Sequence, residues 1–310
     1  MADIVSTAPA VPVNKPASHG STLTGRLAPP LLVLAAALIL WAGLSVVLNA
    51  DRVRTDAART ATELSIADLV NRAWWMDRPV LPSPQQLAVE LWHDVTDAPP
   101  TSHSNLLYHC WATLSAALVG AAFGLTLGVL LALVLVEFAF FEAATMPWIV
   151  ASQAVPTLAI APIVVILLGR LGLSDLWQEA AIDALIVFFP VTLGMVKGLR
   201  SPEPALLDLM RTYAAPRWRT LLSIRLPASL PFLFPALKVA AAVSVVTTIV
   251  AELPTGAQAG LGVRLLVGSY TGLVLVMWSA LIAASLMAAA LIGIITAVEA
   301  LVLRRMGERQ

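Results

Sequence analysis

Five ionisable side chains, Asp183, Lys197, Lys238, Glu252 and Glu299, stand in or beside long apolar runs of the sequence. A charged group at the centre of a bilayer costs at least about 2.5–3.5 kcal/mol, so such residues either serve a pathway or sit near span ends where water reaches them. Asp183 and Glu252 fall toward what should be the outer side and are candidates to line the mouth of a translocation pathway, against ordinary interfacial placement. The run WIVASQAVPTLAIAPIVVILLG places Gln153, Pro156 and Pro162 in an otherwise lipid-compatible helix. Prolines free backbone carbonyls, which are tolerated at membrane depth where they face protein or a water-filled path. This segment therefore either lines a pathway or is a kinked packing helix. Catalytic chemistry has less to stand on. Cys110 is the only cysteine, and His103 and His109 form no metal or catalytic set with nearby residues. A membrane-embedded enzyme would need His, Asp or Glu clustered at ligand spacing on facing spans, and that pattern is absent.

The most informative polar stretch is Ser201 to Pro231, SPEPALLDLMRTYAAPRWRTLLSIRLPASLP. A bare connection between two spans needs only about five residues, whereas this one has apolar residues at helical spacing. Leu206, Leu209, Met210 and Tyr213 follow i, i+3, i+4, i+7 and share one face, with Asp208, Arg211 and Thr212 elsewhere on the helix. Pro216 disfavours a helical conformation at Ala215 and suits the first turn of a new helix. The spacing predicts a helix, a sharp turn and a second short helix from Pro216 to about Arg225, ended by Leu226-Pro227, with Pro231 and Pro235 opening the next span. A loop of this kind is built to touch something.

The elements that would position these groups are membrane helices. The chain is 59% hydrophobic and 12% charged, against roughly 45–50% and 25% in soluble domains, so lipid must be part of its solvent. Its formal net charge is zero, which leaves no basic footprint for nucleic acid. Six apolar runs are long enough to cross about 30 Å of hydrocarbon: 29–49, 108–136, 146–169, 179–198, 232–252 and 273–302. Residues 1–28 read as a disordered tail, 50–105 as an external loop with short amphipathic helices at 57–69 and 84–95, 106–303 as the core membrane domain enclosing the loop 201–231, and 304–310 as a second tail. Gly120, Gly124, Gly128 and Ala132 recur every four residues on the second span, a ridge that lets helix backbones approach closely. Cations concentrate in two places: Lys197, Arg200, Arg211, Arg217, Arg219 and Arg225 around the long loop, and Arg304, Arg305 and Arg309 at the end. The positive-inside rule makes both cytoplasmic, with both termini inside; the five arginines of 50–105 run against it but lie in a loop long enough to be translocated despite charge.

The 201–231 loop resembles the cytoplasmic signature of the inner-membrane components of binding-protein-dependent ABC importers, in particular the nitrate, sulfonate and taurine type. That signature reads Glu-Ala-Ala, three residues, Gly, nine residues, Ile, one residue, Leu-Pro. This chain has Asp208-Leu209-Met210, Ala214 and Ile224-Arg225-Leu226-Pro227 with every spacing kept, but with Asp for Glu, Leu-Met for Ala-Ala and Ala for Gly. Leu81-Pro82-Ser83-Pro84 is similar to an element these proteins carry before their core spans, and Ala251-Glu252 with Gly260-Leu261-Gly262 to one after the fifth. The stretch AELPTGAQAGLGVRLLVGSY further resembles permeases for pyrimidine-like or riboflavin-precursor solutes. The resemblance covers about residues 80 to 300. It implies an all-α membrane domain of the type I importer kind, paired as a dimer of two copies of the chain, and served by a separate ATPase and an external binding protein that delivers a small polar organic solute or anion. Asp208, Arg211, Ala214, Arg217, Arg219, Ile224, Leu226 and Pro227 are then the residues that couple to the ATPase. ATP and Mg would belong to that partner, since this chain has no Gly-x-x-x-x-Gly-Lys-Ser/Thr phosphate loop. An autonomous secondary transporter is the rival reading; it should show repeated halves around a buried ion site, and neither is evident.

Overall fold

A computed structural model describes residues 23–60, 63–152, 154 and 156–307. All regular structure among them is helical: α1 (Leu23–Arg59), α2 (Ile66–Trp74), α3 (Pro84–Thr96), α4 (Leu106–Glu137), α5 (Ala139–Ser152), α6 (Thr157–Arg170), α7 (Asp175–Leu199), α8 (Pro204–Thr212), α9 (Arg217–Thr220), a π-turn at Leu221–Arg225, α10 (Leu226–Thr255), α11 (Leu261–Thr271) and α12 (Val274–Arg305). Five helical stretches are long and apolar enough to cross a membrane: Ala28–Arg59, Leu106–Glu137, Asp175–Leu199, Arg217–Thr255 and Val274–Arg305.

The expected single helix 146–169 is two helices of 14 residues each, α5 and α6. At 1.5 Å per residue each covers about 21 Å, short of the hydrocarbon core. Pro156 stands at the break with φ −66° and ψ 125°, and its ring nitrogen has no proton to give a helical bond.

Three other boundaries depart from the sequence reading. Helix α1 begins at Leu23, inside the stretch assigned to the tail, and runs to Arg59. Between Leu48 and Arg59 there is no Gly or Pro to stop it, and Arg54–Asp51 and Arg59–Asp56 pairs at 3.6 Å support its last turns. The helix expected at 57–69 is not one element: among the described residues α1 takes its first residues, to Arg59, and α2 starts only at Ile66. The helix after Pro216 does not end at Leu226-Pro227 either. A π-turn, closed by the Leu226 N–H on the Leu221 carbonyl, leads straight into α10, where Pro231 and Pro235 are interior. One extra residue in the turn sets Pro227 at the start of the new register, where its missing N–H costs nothing. Helix α3 forms where expected, with Pro84 in its first turn and the Ser83 hydroxyl accepting from the Gln86 N–H at 3.1 Å.

Helix α7 is the centre of the bundle, packed between α4 and α10, while α12 lies across α10 and α11. The glycine ridge explains the first contact. A Cβ at Gly120 would stand 2.6 Å from the Asp183 Cβ, one at Gly124 2.7 Å from the Val187 Cβ, and one at Gly128 2.7 Å from the Phe188 carbonyl. Val187, Val191, Met195 and Leu199 of α7 then join Ala132 and Leu135 of α4 in the main apolar core. Helix α1 touches this bundle differently, through polar anchors at mid-length. Asn49 donates to the carbonyls of Ala73 (3.1 Å) and Leu81 (2.9 Å) and accepts from the Val80 N–H (2.7 Å), and the Trp41 indole donates to the Pro82 carbonyl at 3.0 Å. The Leu81-Pro82-Ser83-Pro84 element is thus the seat on which α1 rests.

Candidate functional site

Helix α8 closes on a Schellman turn. The Ala214 N–H donates to the Arg211 carbonyl at 2.9 Å and the Ala215 N–H reaches back to the Met210 carbonyl at 3.0 Å. This geometry puts Ala214 at φ 49°, the only non-glycine with positive φ among the described residues. The left-handed conformation costs an L-residue about 1–2 kcal/mol, so alanine fills a glycine position at a modest penalty. Pro216, at ψ 152°, then swings the chain into α9. The result is a helical hairpin at one end of the bundle, framed by the C-terminal ends of α4 and α7.

One face of this hairpin has no cover. Leu206, Leu209 and Tyr213 are 42%, 49% and 75% exposed, and Trp218 and Leu222 beyond the turn are 60% and 55% exposed. Asp208, Arg211, Ala214, Arg217 and Arg219 are exposed as well, whereas Ile224, Leu226 and Pro227 are half-buried where the hairpin runs into α10. Asp208 and Arg211 pair at 2.9 Å in the open, a contact worth little by itself. Two further pairs tie the region to the spans. Arg217 meets Glu137 of α4 at 3.5 Å, and Arg200 grips both oxygens of Glu142 in α5 at 2.8 and 2.6 Å.

The second set of sequence candidates sits deep in the bundle. Asp183 is fully buried, with the Ser244 hydroxyl donating to it at 2.7 Å. Glu252 is 1% exposed, accepting from the Thr113 hydroxyl and from the Gly262 N–H, both at 2.5 Å, while Thr113 in turn accepts from the Leu261 N–H at 2.8 Å. His109 joins the same knot, bridging the His103 carbonyl (2.9 Å) and the Gly260 backbone (3.1 Å). A Cβ at Gly260 or Gly262 would collide with the Glu252 carboxylate, which is why Gly-Leu-Gly follows here. Glu252 therefore caps the N-terminus of α11 and ties α4, α10 and α11 together. In the single chain both carboxylates are sealed between helices, whereas Pro156 and Pro162 are exposed; Gln153 lies outside the described residues.

Sequence reading passed over Glu137 and Glu142, whose arginine partners are 80 and 58 residues away, and Thr113, which is 139 residues from Glu252. It also passed over Glu179, buried one helical turn before Asp183. That i, i+4 pair of acids in an apolar run was a signal on hand. No group of three metal-ligating side chains occurs among the described residues.

Comparison with known proteins gives this geometry a context. Residues 124–308 match the family described as binding-protein-dependent transport system inner membrane component. A probable ABC transporter permease protein of Haemophilus influenzae is 34% identical over 184 residues, 59% of this chain and 69% of its own. The formylaminopyrimidine transport permease protein ThiX of Halalkalibacterium halodurans is 32% identical over 183 residues, 59% and 68% of the two chains. The riboflavin transport system permease protein RibX of Chloroflexus aurantiacus is 32% identical over 184 residues, 59% and 64%.

Proposed function

The chain belongs to the inner-membrane components of binding-protein-dependent transport systems, and from that premise we propose how its parts divide the work. It is a multi-pass inner-membrane permease subunit of an ABC importer, of the branch that includes the formylaminopyrimidine and riboflavin permeases. Such a subunit works with an ATPase and a solute-binding protein. In our reading the hairpin 201–231 faces the cytoplasm and docks into the ATPase subunit, which alone binds ATP and Mg. The observation that carries this is the uncovered stripe of Leu206, Leu209 and Tyr213 on a rigidly capped helix. A row of three large apolar side chains held out from the bundle on a fixed turn is the form of a helix that lies in a partner's groove.

We assign α5 and α6 together as a broken sixth span, with both termini cytoplasmic and the working permease a homodimer. Pro156, at the break before α6, and Pro162, within it, are both exposed and would line the pathway between the two copies, together with Gln153. Asp183 and Glu252 would stand behind that lining and hold the helices that form it. The names of the relatives support a small heterocyclic solute, related to an aminopyrimidine or a flavin, delivered by the external receptor. Uptake of radiolabelled candidate solutes by cells expressing permease, ATPase and receptor tests the division of labour. The expected outcome is transport with all three and background levels when any one is omitted; transport by this chain alone would overturn it.

A further inference from the structure

Two cavities adjoin where the hairpin meets the end of α4. The first, of about 390 Å³, has Arg211, Arg217 and Arg225 in its wall with Thr220, and Glu137 as its only acid. The second, of about 320 Å³, shares Glu137 and Arg217 with it and continues along Leu133, Val134, Phe138 and Trp218. Arg217 is partly neutralised by Glu137 and Arg211 by Asp208. Arg225 is half-buried and has no carboxylate partner among the described residues. A cationic chamber thus opens directly into an apolar groove beside a membrane-length helix. Trp218, exposed beside the groove, is of the amphipathic kind that settles at a membrane–water interface.

We propose that this paired cavity is a binding site for one anionic phospholipid, the phosphate in the arginine chamber and an acyl chain in the groove along α4. The charge and the groove fit the two halves of that molecule, and a basic pocket between spans at a membrane surface recognises acidic headgroups. A free phosphate ion would use the chamber and leave the groove empty. An acidic side chain of a protein partner would have to come from behind the hairpin, since the stripe of Leu206, Leu209 and Tyr213 is a different face. A lipid seated here touches Arg217 of α9, Arg225 of the π-turn and the end of α4 at once, so it would brace the hairpin against the bundle.

The test is native mass spectrometry of the full chain released from nanodiscs of phosphatidylcholine containing phosphatidylglycerol. The wild-type chain should retain one phosphatidylglycerol, and each of Arg211→Gln, Arg217→Gln and Arg225→Gln should reduce retention about fivefold. Arg225→Lys should keep most of it, and Arg72→Gln, on α2 and outside both cavities, should change nothing. Equal retention in the triple glutamine variant would overturn the proposal. So would displacement of the lipid by millimolar inorganic phosphate alone, which would make the chamber a free-anion site. Capture of the ATPase subunit, measured on the same variants, reads the coupling role separately from lipid retention.

Discussion

Replacing Ala214 and Ala215 together by valine and leucine is expected to bring solute uptake down to background while the protein still inserts in the membrane. Ala214 sits at φ 49° in the Schellman turn. A β-branched residue there meets a steeper penalty than the roughly 1–2 kcal/mol alanine already bears, so the turn opens and the apolar stripe loses its orientation. Ala215 is half-buried in the wall of the cavity it shares with Leu207, Arg211 and Arg217, and a leucine there would fill part of that space and crowd those side chains. The opposite change is equally informative. Ala214→Gly should relieve about 1 kcal/mol of backbone strain and leave uptake at or above the wild-type rate. Full uptake by the valine–leucine variant would mean that the turn does not serve coupling.

Gly124→Leu is expected to remove the folded protein altogether. The added side chain would start 2.7 Å from the Val187 Cβ and 3.0 Å from the Ala184 carbonyl, against the most tightly packed helix pair of the bundle. Overpacking of a closed interface costs about 1–3 kcal/mol for a few extra atoms, and here the first atom already overlaps the Val187 side chain and presses on the Ala184 carbonyl. Gly293→Leu on α12 is the control, since nothing lies within 4 Å of a Cβ at that position. Yield of monodisperse protein in detergent and its thermal midpoint should fall sharply for the first and hold for the second. A stable Gly124→Leu protein would contradict the close α4–α7 contact.

Features that depend on residues close in sequence were legible without coordinates. The ridge of Gly120, Gly124 and Gly128 declares itself by spacing alone, and it is where α7 packs. The helix-turn-helix of the long loop follows from apolar periodicity and Pro216. What escaped was decided by partners far along the chain or by small shifts of helical register. Whether Leu226-Pro227 ends a helix depends on whether one extra residue can be absorbed just before it, and the π-turn does so. Helix α1 outruns its apolar stretch because its polar continuation contains no breaker and is anchored through Asn49 to residues 73–81. Glu252 was visible as a charge in an apolar run, but its partners, Thr113 and the Gly262 N–H, come from α4 and α11. The contacts add a capping job that its position in the sequence does not disclose.

The exposed stripe of the 201–231 hairpin as the ATPase-docking element is the central claim. Its most direct measurement is detergent co-purification of the tagged chain expressed with the ATPase and receptor genes, with mass spectrometry of what remains bound. The ATPase subunit should be recovered with the wild-type chain and lost when Leu206, Leu209 and Tyr213 are changed together to serine, with the permease itself still monodisperse. Undiminished recovery of the ATPase with that variant would contradict the assignment and place the contact elsewhere on the chain.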